Sequence, residues 1–178
     1  MDQSGFDPSR RAFLLGRQGS GPSKPKPVRP PWSLVERDFA AHCSGCGACI
    51  DACAEGIVFL DADKKAAIDF RRGAGACTFC GGCAEACNDG AFMTTDLRCS
   101  GTPWSWRAVI ADTCLAQRGI ACQSCKDACP ADAIAFRYQA GGVATPDLAL
   151  ARCDGCGGCV APCPAEAISL VEFEVAHA

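Results

Sequence analysis

Large aromatic side chains, histidine and long apolar runs are what this chain has least of. Its 178 residues include 9 Phe, 3 Trp and 1 Tyr, with only two His and two Met. So thin a supply of core-builders calls for staples beyond apolar contact, because small modules bury too little surface to offset chain entropy. No stretch approaches the roughly 18 apolar residues of a membrane-spanning helix, so no transmembrane segment is expected. A net charge of −3 leaves no electrostatic footprint for nucleic acid. There is no G-x-G-x-x-G, no P-loop and no Ser–His–Asp set, which removes the usual phosphate cradles and nucleophile machinery. No length is left over to build a substrate pocket. The chain does not read as an enzyme.

Cysteine is the exception to this poverty. There are 17, an odd number, gathered in clusters and without a cleavable export signal. A secreted disulfide framework has neither property. Thiolates meant for a metal want a reducing compartment, so a cytoplasmic location is expected. The cluster Cys77-Thr-Phe-Cys80-Gly-Gly-Cys83-Ala-Glu-Ala-Cys87 shows the plan, C-x2-C-x2-C-x3-C. Three thiolates on such a loop grip three corners of a cubane [4Fe–4S] cluster, and the fourth cysteine serves a different cluster. A motif of this kind needs a partner. Zinc is the main competitor, but it takes two ligand pairs across a loop to close one tetrahedron. Three cysteines at x2, x2 fit that poorly.

The partner motifs are present because the chain repeats. Adding 76 to Cys46, Cys49, Cys53, Cys77, Cys80, Cys83 and Cys87 lands on Cys122, Cys125, Cys129, Cys153, Cys156, Cys159 and Cys163. A repeat of that regularity outranks any single motif. The remaining first-half cysteine, Cys43, falls on Gly119; Cys114 is its expected substitute, in a loop longer by five residues. Between motifs, residues 57–60 and 66–70 read as two strands around a turn at 61–65. In the second half, residues 134–138 and 143–145 flank a Gly-containing turn in the same way. Residues 83–87 and 159–163 read as short helical turns. The expected fold is α+β: two tandem two-cluster modules of short hairpins and short helices under a pseudo-twofold relation. The boundaries expected are an arm at 1–33, modules at 34–96 and 113–174, and a connector at 97–112.

The arm begins with Ser9-Arg10-Arg11-Ala12-Phe13-Leu14, which has the look of a twin-arginine signal. Its apolar run stops at Leu15, short of an h-region, so export by this segment is not expected. A short helical turn capped by Ser9 and a docking arm are the two readings of residues 9–17. Residues 19–31, rich in Gly, Ser, Pro and Lys, read as a flexible or polyproline II linker with no packed core. Trp32 is expected to anchor the start of the folded part. Trp104 and Trp106 are expected to pack the halves together, and a partner-binding patch is the alternative.

Here a family resemblance is reached. Each half resembles the bacterial two-cluster ferredoxins, and Cys129-Pro130 and Cys163-Pro164 match their terminal Cys-Pro. In the first half Ala54 and Asn88 stand where the prolines belong. Proline there fixes φ and a tight turn, so the first-half clusters are expected to be looser or more exposed. The resemblance implies four [4Fe–4S] clusters with crossed ligand sets. Cys43, Cys46 and Cys49 pair with Cys87, and Cys77, Cys80 and Cys83 with Cys53. Cys114, Cys122 and Cys125 pair with Cys163, and Cys153, Cys156 and Cys159 with Cys129. No ligand slot holds Asp, so nothing favours a three-iron cluster. Cys99 is left as a free thiol, a small buried hydrophobe or a rival to Cys114. His42 beside Cys43 reads as a hydrogen-bonding neighbour or a replacement ligand. Acids near the motifs, among them Glu55, Asp89, Asp154 and Glu166, read as a solvated face or as docking charge.

The layout as a whole is similar to the ferredoxin-type NapF family of the periplasmic nitrate reductase system. The similarity includes the Ser9–Leu14 opening, four four-cysteine motifs, the stretched third motif and the ending at Cys163-Pro164. It implies a cytoplasmic protein despite the arginine pair. The implied partner is the cytoplasmic precursor of NapA, the molybdenum-containing catalytic subunit, and the implied role is its maturation before twin-arginine export. A plain electron-transfer polyferredoxin feeding a reductase is the alternative, with a structural binding module as a third class.

Overall fold

The computed structural model describes residues 26–100, 103–138 and 142–173. The arginine pair, the linker up to residue 25, His177 and the Cys99 side chain lie outside what is described. Elements follow in the order α1 (Glu36–His42), α2 (Ala48–Asp51), β1 (Val58–Leu60), β2 (Ala66–Ile68), α3 (Gly82–Glu85) and α4 (Thr95–Ser100). The second half continues with β3 (Trp106–Ile110), α5 (Ser124–Asp127), β4 (Ile134–Arg137), β5 (Thr145–Leu148) and β6 (Ile168–Glu172). Strands pair antiparallel as β1–β2, β4–β5 and β3–β6. This is the small α+β architecture expected of two tandem two-cluster modules.

Each hairpin follows from its residues. Asp61 turns the chain after β1 by accepting the N–H groups of Asp63 and Lys65, both at 2.9 Å, an Asx-type turn. In the second half β5 runs later than the alternation suggests, at 145–148, and contains Pro146 opposite Phe136. A two-stranded sheet has only edges, and there a missing N–H is tolerated. Residues 106–110, within the stretch read as a connector, form β3 and pair with the end of the chain. Its alternating burial, with Trp106 and Ala108 inward, marks it as a half-buried strand. The first half has only a bridge at the corresponding place, Ser33 with Phe92.

The expectation of an unpacked linker over residues 19–31 fails for residues 26–31. Pro30 and Pro31 are almost fully buried, and Val28 O accepts the Ile68 N–H at 2.8 Å. Arg29 holds this stretch down. Its guanidinium pairs with Glu36 and Asp61, each at 2.7 Å, donates to Ala66 O at 2.9 Å and lies over the Phe39 ring. Burial works against ionised Asp61, but the Lys65 N–H and the Arg29 guanidinium outweigh it and hold its pKa below the usual carboxylate range. A depressed carboxylate stabilises above its unfolded pKa and loses that contribution as pH falls through its folded one. Arg29→Ala is expected to cost about 3 kcal/mol, because it strands a half-buried carboxylate. Thermal melts at pH 7 and pH 3 check it: the deficit should shrink in acid as Asp61 protonates.

The two halves meet along a mixed apolar and polar seam. Trp104 sits edge-on to Phe70 and Phe79, with ring centroids 6.2 and 5.5 Å away, and its Nε1 donates to Asp154 O at 2.9 Å. Trp104 therefore packs the halves together as expected, while Trp106 is buried in β3. Arg71 pairs with Glu166 across the seam at 3.3 Å. Gly157, at φ 78°, lies so close that a Cβ there would stand 2.0 Å from a Phe70 ring carbon. Only glycine fits that approach and that backbone angle.

Candidate metal centres

Four cavities are each lined by four cysteines, and all sixteen are different residues. Site I is lined by Cys43, Cys46, Cys49 and Cys87. Site II is lined by Cys53, Cys77, Cys80 and Cys83. Site III has Cys129, Cys153, Cys156 and Cys159. Site IV has Cys114, Cys122, Cys125 and Cys163. The structure thus brings together the four sets that the resemblance implies, with Cys114 on the wall of site IV.

Short helices divide the first three motifs between two sites. Cys49 lies within α2 and faces site I, while Cys53, just beyond its end, faces site II. Cys83 within α3 and Cys87 beyond it do the reverse. α2 and α3 pack side by side, so sites I and II are neighbours. In the second half Cys125 within α5 and Cys129 beyond it part in the same manner. Sites II and III meet at the seam: the Cys77 N–H donates to Cys156 O at 2.8 Å. The spatial order is therefore I, II, III, IV. Gly155, at φ 80°, tightens the site III loop so closely that a Cβ would meet Trp106 O at 2.3 Å.

The donor set fits a cluster. Each cavity offers four thiols in an apolar setting; Leu60 and Phe92 at site I, or Ile134 and Leu148 at site III, complete the walls. Among the described residues no three His, Cys, Asp or Glu side chains converge on one metal ion. Three thiols spaced x2, x2 on one loop with a fourth from another motif suit a cubane better than tetrahedral zinc. Backbone N–H groups already aim at sulfur: Phe79 at Cys77 Sγ, Ala133 at Cys129 Sγ and Ala167 at Cys163 Sγ, at 3.3–3.4 Å. The last two follow the Cys-Pro turns. Cys46 and Cys80 are exposed, whereas no second-half ligand candidate is, in keeping with the missing first-half prolines.

Burial, reinforced by neighbouring thiols, pushes Cys49 and Cys125 up to about 11 and Cys83 and Cys159 up to about 12. Cys77 rises to about 11 through burial. Cys156 rises to about 12 through burial and then the Asp154 carboxylate. In a metal-free fold these thiols stay neutral at pH 7. A raised thiol contributes stability below its unfolded pKa, near 9, and loses it as pH rises towards 11–12, so a metal-free fold weakens in alkali. Iron needs thiolate, so loading must expel protons. Anaerobic addition of ferrous iron and sulfide to metal-free protein is expected to acidify a weakly buffered solution and to load more readily at pH 8.5 than at pH 6.5. A pH electrode and cluster absorbance follow both.

His42 is exposed and its Nδ1 contacts Asp38 O at 2.8 Å; it does not line site I. Asp89, Asp154 and Glu166 are exposed and Glu55 is half-buried, mostly a solvated face. Phe70, and Phe79 between two cysteines of the second motif, form the seam with Trp104.

Comparison with known proteins bears on what fills these cavities. The 4Fe-4S dicluster domain matches residues 42–92 and 118–168, more than half of the chain. Over 172 residues the chain is 37% identical to the ferredoxin-type protein NapF of Escherichia coli K12, covering 97% of this chain and 99% of that one. The chain belongs to the ferredoxin-type NapF family. To NapF of Haemophilus influenzae Rd it is 41% identical over 147 residues, 83% of this chain and 80% of that one. The methylamine utilization ferredoxin-type protein MauM of Paracoccus denitrificans is more distant, 32% identical over 156 residues, 81% and 70% of the two chains. Two dicluster domains give this NapF-family chain four [4Fe–4S] clusters. Among the described residues no helix is long and apolar enough to cross a membrane.

Proposed function

We propose that this protein is a cytoplasmic accessory ferredoxin that binds the precursor of the periplasmic nitrate reductase catalytic subunit and assists its maturation before twin-arginine export. The observation that carries this is similarity along 97% of the chain to NapF, together with four cavities each walled by four thiols. The ligand sets are those of sites I to IV, so that every motif serves two clusters. When bound, each cluster takes up or gives one electron at a potential set by hydrogen bonds, charge and exposure. The chain's own part is placement: the packed pair α2 and α3 holds sites I and II together, and Trp104 with the Cys77–Cys156 hydrogen bond holds the inner two. The protein serves as a reservoir or conduit of electrons for reductive or cluster-loading steps on the precursor.

Anaerobic capture of the tagged full chain from nitrate-grown cells tests this. Recovery of NapA that still carries its signal peptide, lost in a Cys83→Ala, Cys159→Ala double variant, is the expected result. Recovery of only a different reductase or dehydrogenase would refute it. A second reading, an electron carrier without an assembly role, draws on the likeness to MauM proteins, ferredoxin-type proteins of methylamine utilization. It predicts rapid reduction and oxidation by a cellular donor and acceptor with no attachment to an unexported precursor.

A further inference from the structure

One polar group at site II is left without a partner. Trp32 lines that cavity, and its indole Nε1 is buried with no hydrogen-bond acceptor in the protein. Buried indole N–H groups ordinarily find an acceptor. The residue is also fixed at a cost, since φ is 60°, a left-handed angle that bulky side chains avoid and that persists only where the surroundings enforce it. Here the Trp32 N–H donates to Pro103 O and its carbonyl accepts from Met93 N, both at 2.8 Å. The two residues before it, Pro30 and Pro31, are almost fully buried.

The repeat supplies an internal comparison. Leu34 N donates to Ala91 O as Ala111 N donates to Ala167 O, and the two acceptors are related by the repeat of 76 residues. Leu34 therefore matches Ala111, and three residues earlier Pro31 matches Ala108. Pro31 lines site II and Ala108 lines site III. At site III the Ala108 backbone N–H faces Cys153 Sγ at 3.5 Å. At site II the matching thiol is Cys77, and proline has no N–H to offer it. The next residue, Trp32, carries an N–H on its side chain at the same wall.

We infer that the Trp32 Nε1–H donates a hydrogen bond to a sulfur of the site II cluster, replacing the backbone donor lost at Pro31 and raising that cluster's reduction potential. Reduction adds negative charge to the cluster, and a donor aimed at its sulfur stabilises the reduced form more than the oxidised one. Trp32 is then a tuning residue and not a ligand. This rests on the ligand set proposed for site II.

The test is a redox titration of the anaerobic full chain and Trp32→Phe, followed by electron paramagnetic resonance, with iron and sulfide measured on both. With cluster content retained, one of four potentials should move negative while three stay in place. Four unmoved potentials at full content would overturn the role of Trp32. Should Trp32→Phe lose a cluster, the otherwise unaltered chain carrying 15N-indole tryptophan decides. A 15N coupling to a reduced cluster that survives Trp104→Phe and Trp106→Phe supports the inference. No coupling, or one that disappears with Trp104 or Trp106, overturns it. The ligand set fails separately, when Cys53→Ala and Cys77→Ala remove different clusters.

Discussion

Cys53→Ala and Cys77→Ala are each expected to remove the same one of four clusters, and the double variant to lose no more than either alone. The two thiols are 24 residues apart yet face one cavity. Cys49→Ala, four residues from Cys53, should remove a different cluster, the one it shares with Cys87. Alanine cannot ligate, so iron and sulfide should fall by about a quarter in each single variant, from the cluster stoichiometry of this ligand class. Low-temperature resonance spectra of the reduced protein identify which signal has gone. Under the opposite grouping, with each motif holding its own cluster, Cys49→Ala and Cys53→Ala would give one identical spectrum. Combining Cys49→Ala with Cys53→Ala tells the same story by addition: crossed ligation predicts about half the iron lost.

Gly157→Ala is expected to destabilise the seam between the two halves strongly. Its left-handed backbone costs a non-glycine residue about 1–2 kcal/mol. The new Cβ would also fall 2.0 Å from Phe70, and overpacking of a fitted contact adds about 1–3 kcal/mol. A loss near 3 kcal/mol should lower the melting midpoint by roughly 10 °C in a chain of this size. Gly47→Ala is the control: Gly47 has φ 88° with nothing within 4 Å of an added Cβ, so it should show only the backbone part. Phe70→Leu should recover part of the Gly157→Ala loss but none of the Gly47→Ala loss, since it relieves only the steric contact. Anaerobic melts followed by cluster absorbance measure all four. An equal drop for the two glycine variants would show that Phe70 does not crowd Gly157.

The cysteine pattern carried most of what matters here. Spacing and repeat located the sixteen thiols that the structure gathers four by four, because motifs of this kind leave a local signature that packing cannot hide. β3 escaped notice, since Trp106–Ile110 pairs with residues some sixty positions later and has no hairpin turn beside it. The packed state of residues 26–31 also escaped. Its Pro and Lys content reads as a spacer, and Arg29 finds its place only between Glu36 and Asp61, the latter 32 residues on. The Trp32 indole is a third case. A tryptophan after two prolines reads as packing, and an unpartnered N–H is a property of the assembled cavity. The order of the sites belongs to the same class, for it depends on the single bond from Cys77 to Cys156 across the seam.

The crossing of ligands between motifs also bears on manufacture. Sites I and II take every thiol from residues 43–87, so translation completes both of those thiol sets before it adds Cys114, the first thiol of sites III and IV. The Cys77 N–H then waits for Cys156 O, seventy-nine residues later in translation. The seam between the halves therefore closes only after both thiol sets of the first half have been made.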